Sequence, residues 1–110
     1  MVMLSSPFGG QTRTRVLLAI RLLEETYPRE LARLINVPLS GVQMALRGLE
    51  RDGIVAVRSV GRTRAVRLNP RYFGRDELQR YLLRLTEPEL DLRKRVAQLR
   101  RRPRRTGKPL

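Results

Sequence analysis

The chain has 110 residues, of which 24 are Lys or Arg and 10 are Asp or Glu, so its formal net charge at pH 7 is +14. This length fits one compact domain, and the excess of positive charge favours a polyanionic partner such as nucleic acid. The sequence contains neither cysteine nor histidine, which excludes disulfides, thiolate or imidazole metal sites and catalytic sets built on those residues. We therefore expect no metal, no cofactor and no catalytic residues.

No apolar run is long enough for a membrane span. The longest extends from Val16 to Ile20, whereas a spanning helix needs about 20 apolar residues. The first ten residues also lack the basic flank and long apolar stretch of a signal peptide. We expect a cytoplasmic, nucleoid-associated protein that binds no membrane, with a flexible N terminus over residues 1–11.

Two helices are predicted before residue 36. The first covers residues 12–25 and is apolar over much of its circumference, so it should be buried on more than one side. Two interpretations stay open: a central core helix, or a core helix that also meets a second subunit. The second helix begins near Pro28, which fits a first helical turn, and ends before Asn36.

A third helix is predicted over residues 40–53. Ser40 and Gln43 have the spacing of a capping box, so Ser40 is a plausible N-cap, although the helix could begin one or two residues earlier. Gly53 should end the helix in the left-handed conformation. Apolar residues at helical spacing face the core. The opposite face then carries Gly41, Gln43, Met44, Arg47 and Arg51.

A β-hairpin follows, with two alternating strands on either side of Gly61. Its charged and hydroxyl residues include Arg58, Arg62, Thr63 and Arg64. If Val66 faces inward, Arg67 points outward, while Arg62 and Arg64 share the parity of Val66 but lie towards the tip.

Two further helices are predicted over residues 74–86 and 86–102, which make residues 71–100 a C-terminal helical unit. Thr86 and Glu89 form a second possible capping box, with Pro88 in the first turn. Nine of the 24 basic residues and no acidic ones lie from Arg93 onward. We expect residues 101–110 to be a disordered basic tail.

The order helix, helix, short turn, helix and hairpin is that of a winged helix-turn-helix. Four motifs stand in this order: Glu30-Leu31-Ala32 with Leu34, then Ser40, Val42, Leu46 and Leu49, then Asp52-Gly53-Ile54-Val55, and finally Gly61-Arg62. On these motifs, residues 12–70 resemble the winged helix-turn-helix of ArsR-like and MarR-like transcriptional regulators.

The sequence also departs from this pattern. Metal sensors of the ArsR-like group use cysteine and histidine, which are absent here, so a metal-sensing role is not expected. Gly41 stands where the family often has Thr or Ser, which removes one hydroxyl contact to a phosphate. Met44 occupies a position often held by Arg or a polar residue, and it can touch a thymine methyl but cannot form a bidentate hydrogen bond.

The resemblance implies a mainly α fold with a small β-hairpin, a winged helix-turn-helix followed by two C-terminal helices. It implies a sequence-specific regulator that binds double-stranded DNA and represses transcription by covering a promoter. The recognition helix would enter the major groove through Ser40, Gly41, Gln43, Met44, Arg47 and Arg51. The wing would contact the backbone or minor groove through Arg58, Arg62, Thr63 and Arg64.

A homodimer would place two recognition helices on successive half-sites. The residues predicted for this interface are Leu18, Leu22, Leu82, Leu85, Leu92, Val96 and Leu99. No effector site is apparent in the sequence. Two alternatives stay open: a chromatin-like basic protein that binds DNA or RNA without sequence preference, and a winged-helix adaptor that binds another protein.

Overall fold

The computed structural model describes residues 7–101, and in this range the protein is mainly helical with a small antiparallel sheet, as predicted. The helices are α1 (Gln11–Leu23), α2 (Pro28–Ile35), α3 (Leu39–Arg51), α4 (Arg75–Leu85) and α5 (Leu90–Arg101). The strands are β1 (Glu25–Thr26), β2 (Val55–Val60) and β3 (Thr63–Leu68). Residues 1–6 of the predicted flexible N terminus and residues 102–110 of the predicted tail lie outside the described residues. Within 7–101, no helix has the length and apolar character to cross a membrane.

Helix α1 occupies the centre of the core. All residues from Val16 to Ile20 are fully buried, because α2, α3, α4 and α5 all contact α1. A helix enclosed in this way has to be apolar over most of its circumference. Of the two interpretations left open by the sequence, the buried segment of α1 therefore fits the core of a single chain.

Strand β1 replaces the predicted last turn of the first helix. Glu24 has a φ of 74° and ends α1 at Leu23, so the prediction that this helix reaches residue 25 is wrong. Strand β1 then pairs with β3, which makes the sheet order β1-β3-β2. The hydroxyl of the buried Thr26 donates to Glu30 Oε1 at 2.6 Å, so the strand is also attached to α2.

Helices α2 and α3 are joined by the short segment Asn36 to Pro38. Pro28 opens α2 as predicted, and Asn36 ends it in the left-handed conformation with a φ of 56°. Helix α3 begins at Leu39 and has Pro38 as its N-cap. Ser40 therefore lies in the first turn and forms no capping hydrogen bond, so the Ser40 N-cap is wrong and the alternative of an earlier start is confirmed. The extended backbone of Pro38 starts the helix earlier, and its carbonyl accepts from the amides of Gly41 and Val42.

The end of α3 confirms the prediction for Gly53. Its φ is 78°, its amide donates to the Glu50 carbonyl, and the amide of Ile54 donates to the Leu49 carbonyl, both at 2.9 Å. These two bonds define a Schellman motif. The motif turns the chain directly from α3 into β2.

Replacing Gly53 by alanine should lower the free energy of unfolding by about 1–2 kcal/mol, because an L-residue is disfavoured at positive φ. Urea denaturation followed by far-UV circular dichroism would measure the change. Gly53→Asn is the matched control, because asparagine adopts the left-handed conformation at lower cost than alanine and should keep more of the stability. Equal stability of Gly53→Ala and the wild type would contradict the role assigned to this glycine.

The C-terminal helices differ from prediction where they join. Helix α5 begins at Leu90, and the Thr86 hydroxyl donates back to the Leu83 carbonyl at 2.6 Å instead of capping α5. The predicted Thr86 capping box is therefore wrong, and the exposed Pro88 precedes the helix. Glu89 is buried, and its Oε2 atom has no hydrogen-bond partner within residues 7–101.

Three of the seven residues predicted for the dimer interface are buried in the core of the single chain, so this part of the prediction is wrong. Leu18 and Leu82 are completely buried and Val96 nearly so, because α4 and α5 both pack on α1. These three side chains belong to the core of the single chain and present no surface to a partner. The other four predicted residues are Leu22, Leu85 and Leu92, which are partly buried against this core, and Leu99, which is 37% exposed.

Candidate nucleic-acid interface

Helix α3 presents an exposed, mostly polar face away from the core. Its inward face is buried through Val42, Ala45, Leu46 and Leu49. The residues predicted to read DNA lie outside this face: Ser40, Gln43, Met44, Arg47 and Arg51 are exposed and Gly41 is partly exposed. Met44 is a large apolar side chain with 68% of its surface exposed.

Gly41 has a packing role that the sequence did not predict. A Cβ at this position would lie 3.2 Å from Val37 Cγ1 in the preceding turn. The glycine therefore lets the start of α3 lie close against the segment that joins it to α2. The missing side chain leaves space for Val37 in the segment between the two helices.

The hairpin places its arginines on two opposite faces. Gly61 and Arg62 form the two-residue turn between β2 and β3, and Gly61 has a φ of 62°, as the first position of a type II′ turn requires. Arg64 pairs with Ser59 and shares a face with Val66, whereas Arg58 pairs with Ala65 on the other face. The Thr63 hydroxyl donates to the Val60 carbonyl at 2.9 Å, so it helps close the turn.

A cleft of about 400 Å³ separates α3 from the hairpin. Its apolar lining comes from Leu39 and Leu46 of α3 and from Val57 and Val66 of the hairpin. The charged residues around it are Arg29, Arg47, Glu50, Arg62 and Arg64. The cleft thus brings together Gln43 and Arg47 of the predicted recognition helix with Arg62, Thr63 and Arg64 of the predicted wing.

Sequence reasoning missed Arg29 in this group. It lies in the first turn of α2, next to Tyr27 and Pro28, and all three line the cleft. Its position depends on the packing of α2 beside β3, which no local pattern encodes. No signal in the sequence distinguishes Arg29 from the other surface arginines.

Arg58 does not line this cleft, but it lines a second recess together with Glu25, Thr63 and Arg64. Its Nη2 atom lies 3.1 Å from Glu25 Oε2 of β1, and both side chains are about half exposed. The other ion pairs within residues 7–101 are Arg13–Asp52, Arg51–Asp52, Arg75–Asp76 and Arg84–Glu87. Arg47, Arg62 and Arg64 belong to none of these pairs, so no carboxylate of the described residues lies within 4.0 Å of their guanidinium groups.

Several other arginines stabilise the fold through backbone carbonyls. Arg15 donates to Ile35 O at 2.8 Å and Arg95 donates to Leu34 O at 2.7 Å, where the last carbonyls of α2 lack helical partners. Arg100 donates in the same way to Leu22 O near the end of α1. Arg21 donates to Gln79 O of α4 at 3.0 Å. These arginines connect helices and are not part of the cleft.

The side chain of Arg13 in α1 lies next to Gly48 of α3. Its guanidinium donates to Asp52 Oδ2 at 3.0 Å and to Phe8 O at 2.6 Å. A Cβ on Gly48 would lie 2.3 Å from Arg13 Nη1, so the glycine makes room for this side chain. Gly48 therefore leaves space beside α3 for the guanidinium group of Arg13.

No protein-family model matches the sequence, and no curated protein matches it significantly. The function therefore has to be inferred from the residues themselves and from their arrangement around α3 and the hairpin.

Proposed function

We propose that the protein is a transcriptional regulator of the winged helix-turn-helix class that binds double-stranded DNA and represses by covering a promoter. Helix α3 is the recognition helix and the hairpin is the wing. One observation carries the proposal: Gln43 and Arg47 of α3 line the same cleft as Arg62 and Arg64 at the hairpin tip. A duplex that contacts one of these surfaces is thereby brought against the other.

The chemistry of α3 suits the major groove, which is wide enough to admit an α-helix. Gln43 can form paired hydrogen bonds with adenine, Arg47 can do so with guanine, and Met44 can contact the methyl group of thymine. All three are exposed, so they can reach base edges without unfolding any of the core. Ser40 and Arg51, which are also exposed, contact phosphates in this proposal.

The hairpin arginines suit the DNA backbone. Arg62 lies in the turn and Arg64 points towards α3, and neither is engaged in an ion pair of the described structure. Guanidinium groups bind phosphate oxygens bidentately and enter narrow minor grooves. These contacts orient the protein, while sequence preference comes from α3.

The proposal includes a homodimer, because a single α3 reads only a few base pairs and two-fold symmetry doubles the site. Leu83, Leu90 and Leu99 of the C-terminal helices are exposed apolar residues that can supply the dimer surface. These exposed residues replace Leu18, Leu82 and Val96, which were predicted for the interface but are buried.

Selection of bound sequences from a random duplex pool tests the proposal. The wild type should enrich a two-fold symmetric site with half-sites about 34–36 Å apart along the helix axis. Arg47→Ala should bind the enriched site about 10- to 100-fold more weakly and lose preference at one base pair of each half-site. Enrichment of no sequence, with equal affinity for every duplex, would contradict sequence-specific regulation.

A second candidate function is electrostatic binding of DNA or RNA without sequence preference. It is favoured by the nine basic residues from Arg93 onward. Replacing Arg102, Arg104 and Arg105 by glutamine should change affinity for the selected site only a few-fold if α3 and the hairpin dominate. Loss of most binding would favour the second candidate, and absence of binding by every form at moderate salt would favour a protein-binding adaptor.

A further inference from the structure

The cleft between α3 and the hairpin has the size and lining of a small-molecule site. Its volume of about 400 Å³ lies within the range of about 300–1,000 Å³ that such sites span. Leu46 and Val66 at its floor are buried, and Val57 and Leu39 are partly buried. A straight DNA backbone would touch the charged rim and leave this apolar floor unused.

The residues around the cleft define the class of ligand. Arginines from α2, α3 and the hairpin all line it, namely Arg29, Arg47, Arg62 and Arg64, and guanidinium groups bind phosphate in bidentate geometry. The apolar floor and the ring of Tyr27 suit a flat, weakly polar ring. Gln43 offers a donor and an acceptor, and Glu50 accepts hydrogen bonds, which matches the amino groups of a nucleobase.

We propose that this cleft binds a nucleoside monophosphate, with its base on the apolar floor and its phosphate among the arginines, and that the nucleotide competes with DNA. The competition rests on the proposed function, since the same arginines would contact the DNA backbone. A bound phosphate monoester brings a charge of about −1.5 to −2 between α3 and the hairpin. Nucleotide and DNA would then weaken each other's binding reciprocally.

Calorimetric titration of the full chain with AMP, GMP, CMP and UMP tests the site, with inorganic phosphate and adenosine as separate arms. At least one nucleotide should bind tenfold or more tightly than phosphate or nucleoside alone, because only the nucleotide uses both floor and rim. Equal binding of phosphate and all four nucleotides would reduce the cleft to a simple anion site and overturn the proposal.

Two valine-to-phenylalanine substitutions in the hairpin test whether the floor of the cleft binds the nucleotide. Val57→Phe fills the cleft, whereas Val60→Phe adds the same ring at an exposed position on the opposite face. Val57→Phe should weaken nucleotide binding at least tenfold and Val60→Phe less than twofold, with circular dichroism as the check on folding. Leu39→Gln, at the partly buried start of α3, is a second floor variant should Val57→Phe fail to fold. Nucleotide binding that both floor variants leave unchanged would overturn the proposal.

Displacement of labelled duplex by the best nucleotide tests the competition. The nucleotide should displace duplex from the wild type and fail to do so from the floor variants. Normal duplex binding with no nucleotide binding at millimolar concentration would overturn this inference and leave the proposed function intact. Nucleotide binding without any duplex binding would overturn the proposed function and the competition together.

Discussion

Arg64→Ala should weaken binding of a DNA duplex about tenfold at moderate salt, while Arg58→Ala should change it less than twofold. Both substitutions remove one positive charge from the same hairpin, but the two side chains lie on opposite faces. Arg64 lines the cleft beside α3, and Arg58 is paired with Glu25 at 3.1 Å. The loss of affinity for the duplex should therefore depend on where the substituted side chain lies and not on the net charge of the chain.

Fluorescence anisotropy with a labelled duplex at several salt concentrations measures this difference. Removal of a phosphate contact should lower the slope of log affinity against log salt by about 1 for Arg64→Ala. The slope for Arg58→Ala should stay near that of the wild type. Similar losses for both variants would mean that the duplex responds to the overall charge of the hairpin, which would contradict the assignment of the cleft as the contact surface.

Leu82→Ala should lower the free energy of unfolding by about 2–5 kcal/mol. Leu82 is fully buried where α4 packs on α1, and truncation there removes apolar contacts and leaves a cavity. Native stabilities are only about 5–15 kcal/mol, so this single change should remove a large part of the total. Urea denaturation followed by circular dichroism is the measurement.

Leu99→Ala tests whether the exposed face of α5 contributes to a dimer interface and not to the core of the chain. Leu99 is 37% exposed on α5, so its truncation should change the unfolding free energy of the chain by less than about 1 kcal/mol. In a dimer built on the exposed face of α5, the same variant should instead weaken association in size measurements over a range of protein concentrations. A Leu82→Ala variant that dissociates but keeps its stability would contradict the placement of Leu82 in the core.

The elements that were predicted well have local signals. Pro28 at the start of α2, Gly53 at the end of α3 and Gly61 in the hairpin turn each satisfy a conformational requirement of their own residue. Helical spacing of apolar residues identified the buried face of α3, and strand alternation placed Arg64 on the face of Val66 and Arg67 on the opposite face. From these signals, the elements around the cleft could be predicted before their packing was known.

The features that were missed depend on distant partners. Strand β1 has two residues, and its pairing partner β3 lies about forty residues further along the chain, so no local pattern reveals it. Because β1 was missed, the ion pair between Glu25 and Arg58 was also missed. The inclusion of Arg29 in the cleft likewise depends on how α2 packs beside the hairpin.

The capping predictions failed for a different reason. Ser40 and Thr86 both have suitable partners in sequence, but each is in competition with another local interaction. Pro38 already provides the extended residue that opens α3, and the Thr86 hydroxyl donates to a carbonyl at the end of α4. A capping motif in a sequence shows which bonds are available, and the neighbouring backbone decides which of them forms.

The pairing of β2 with β3 also determines what a change in hairpin length would do. In the present register, Arg64 lies on the face of the sheet towards α3, and Arg58 lies on the opposite face, where it pairs with Glu25 of β1. Because strand side chains alternate, a shift of the pairing by one residue would exchange these faces and direct Ala65 to the cleft. An insertion of two residues into each strand would keep every face and move the turn outward by about 7 Å. The length of each strand in such a hairpin can therefore change only by an even number of residues if Arg64 is to stay on the face next to α3.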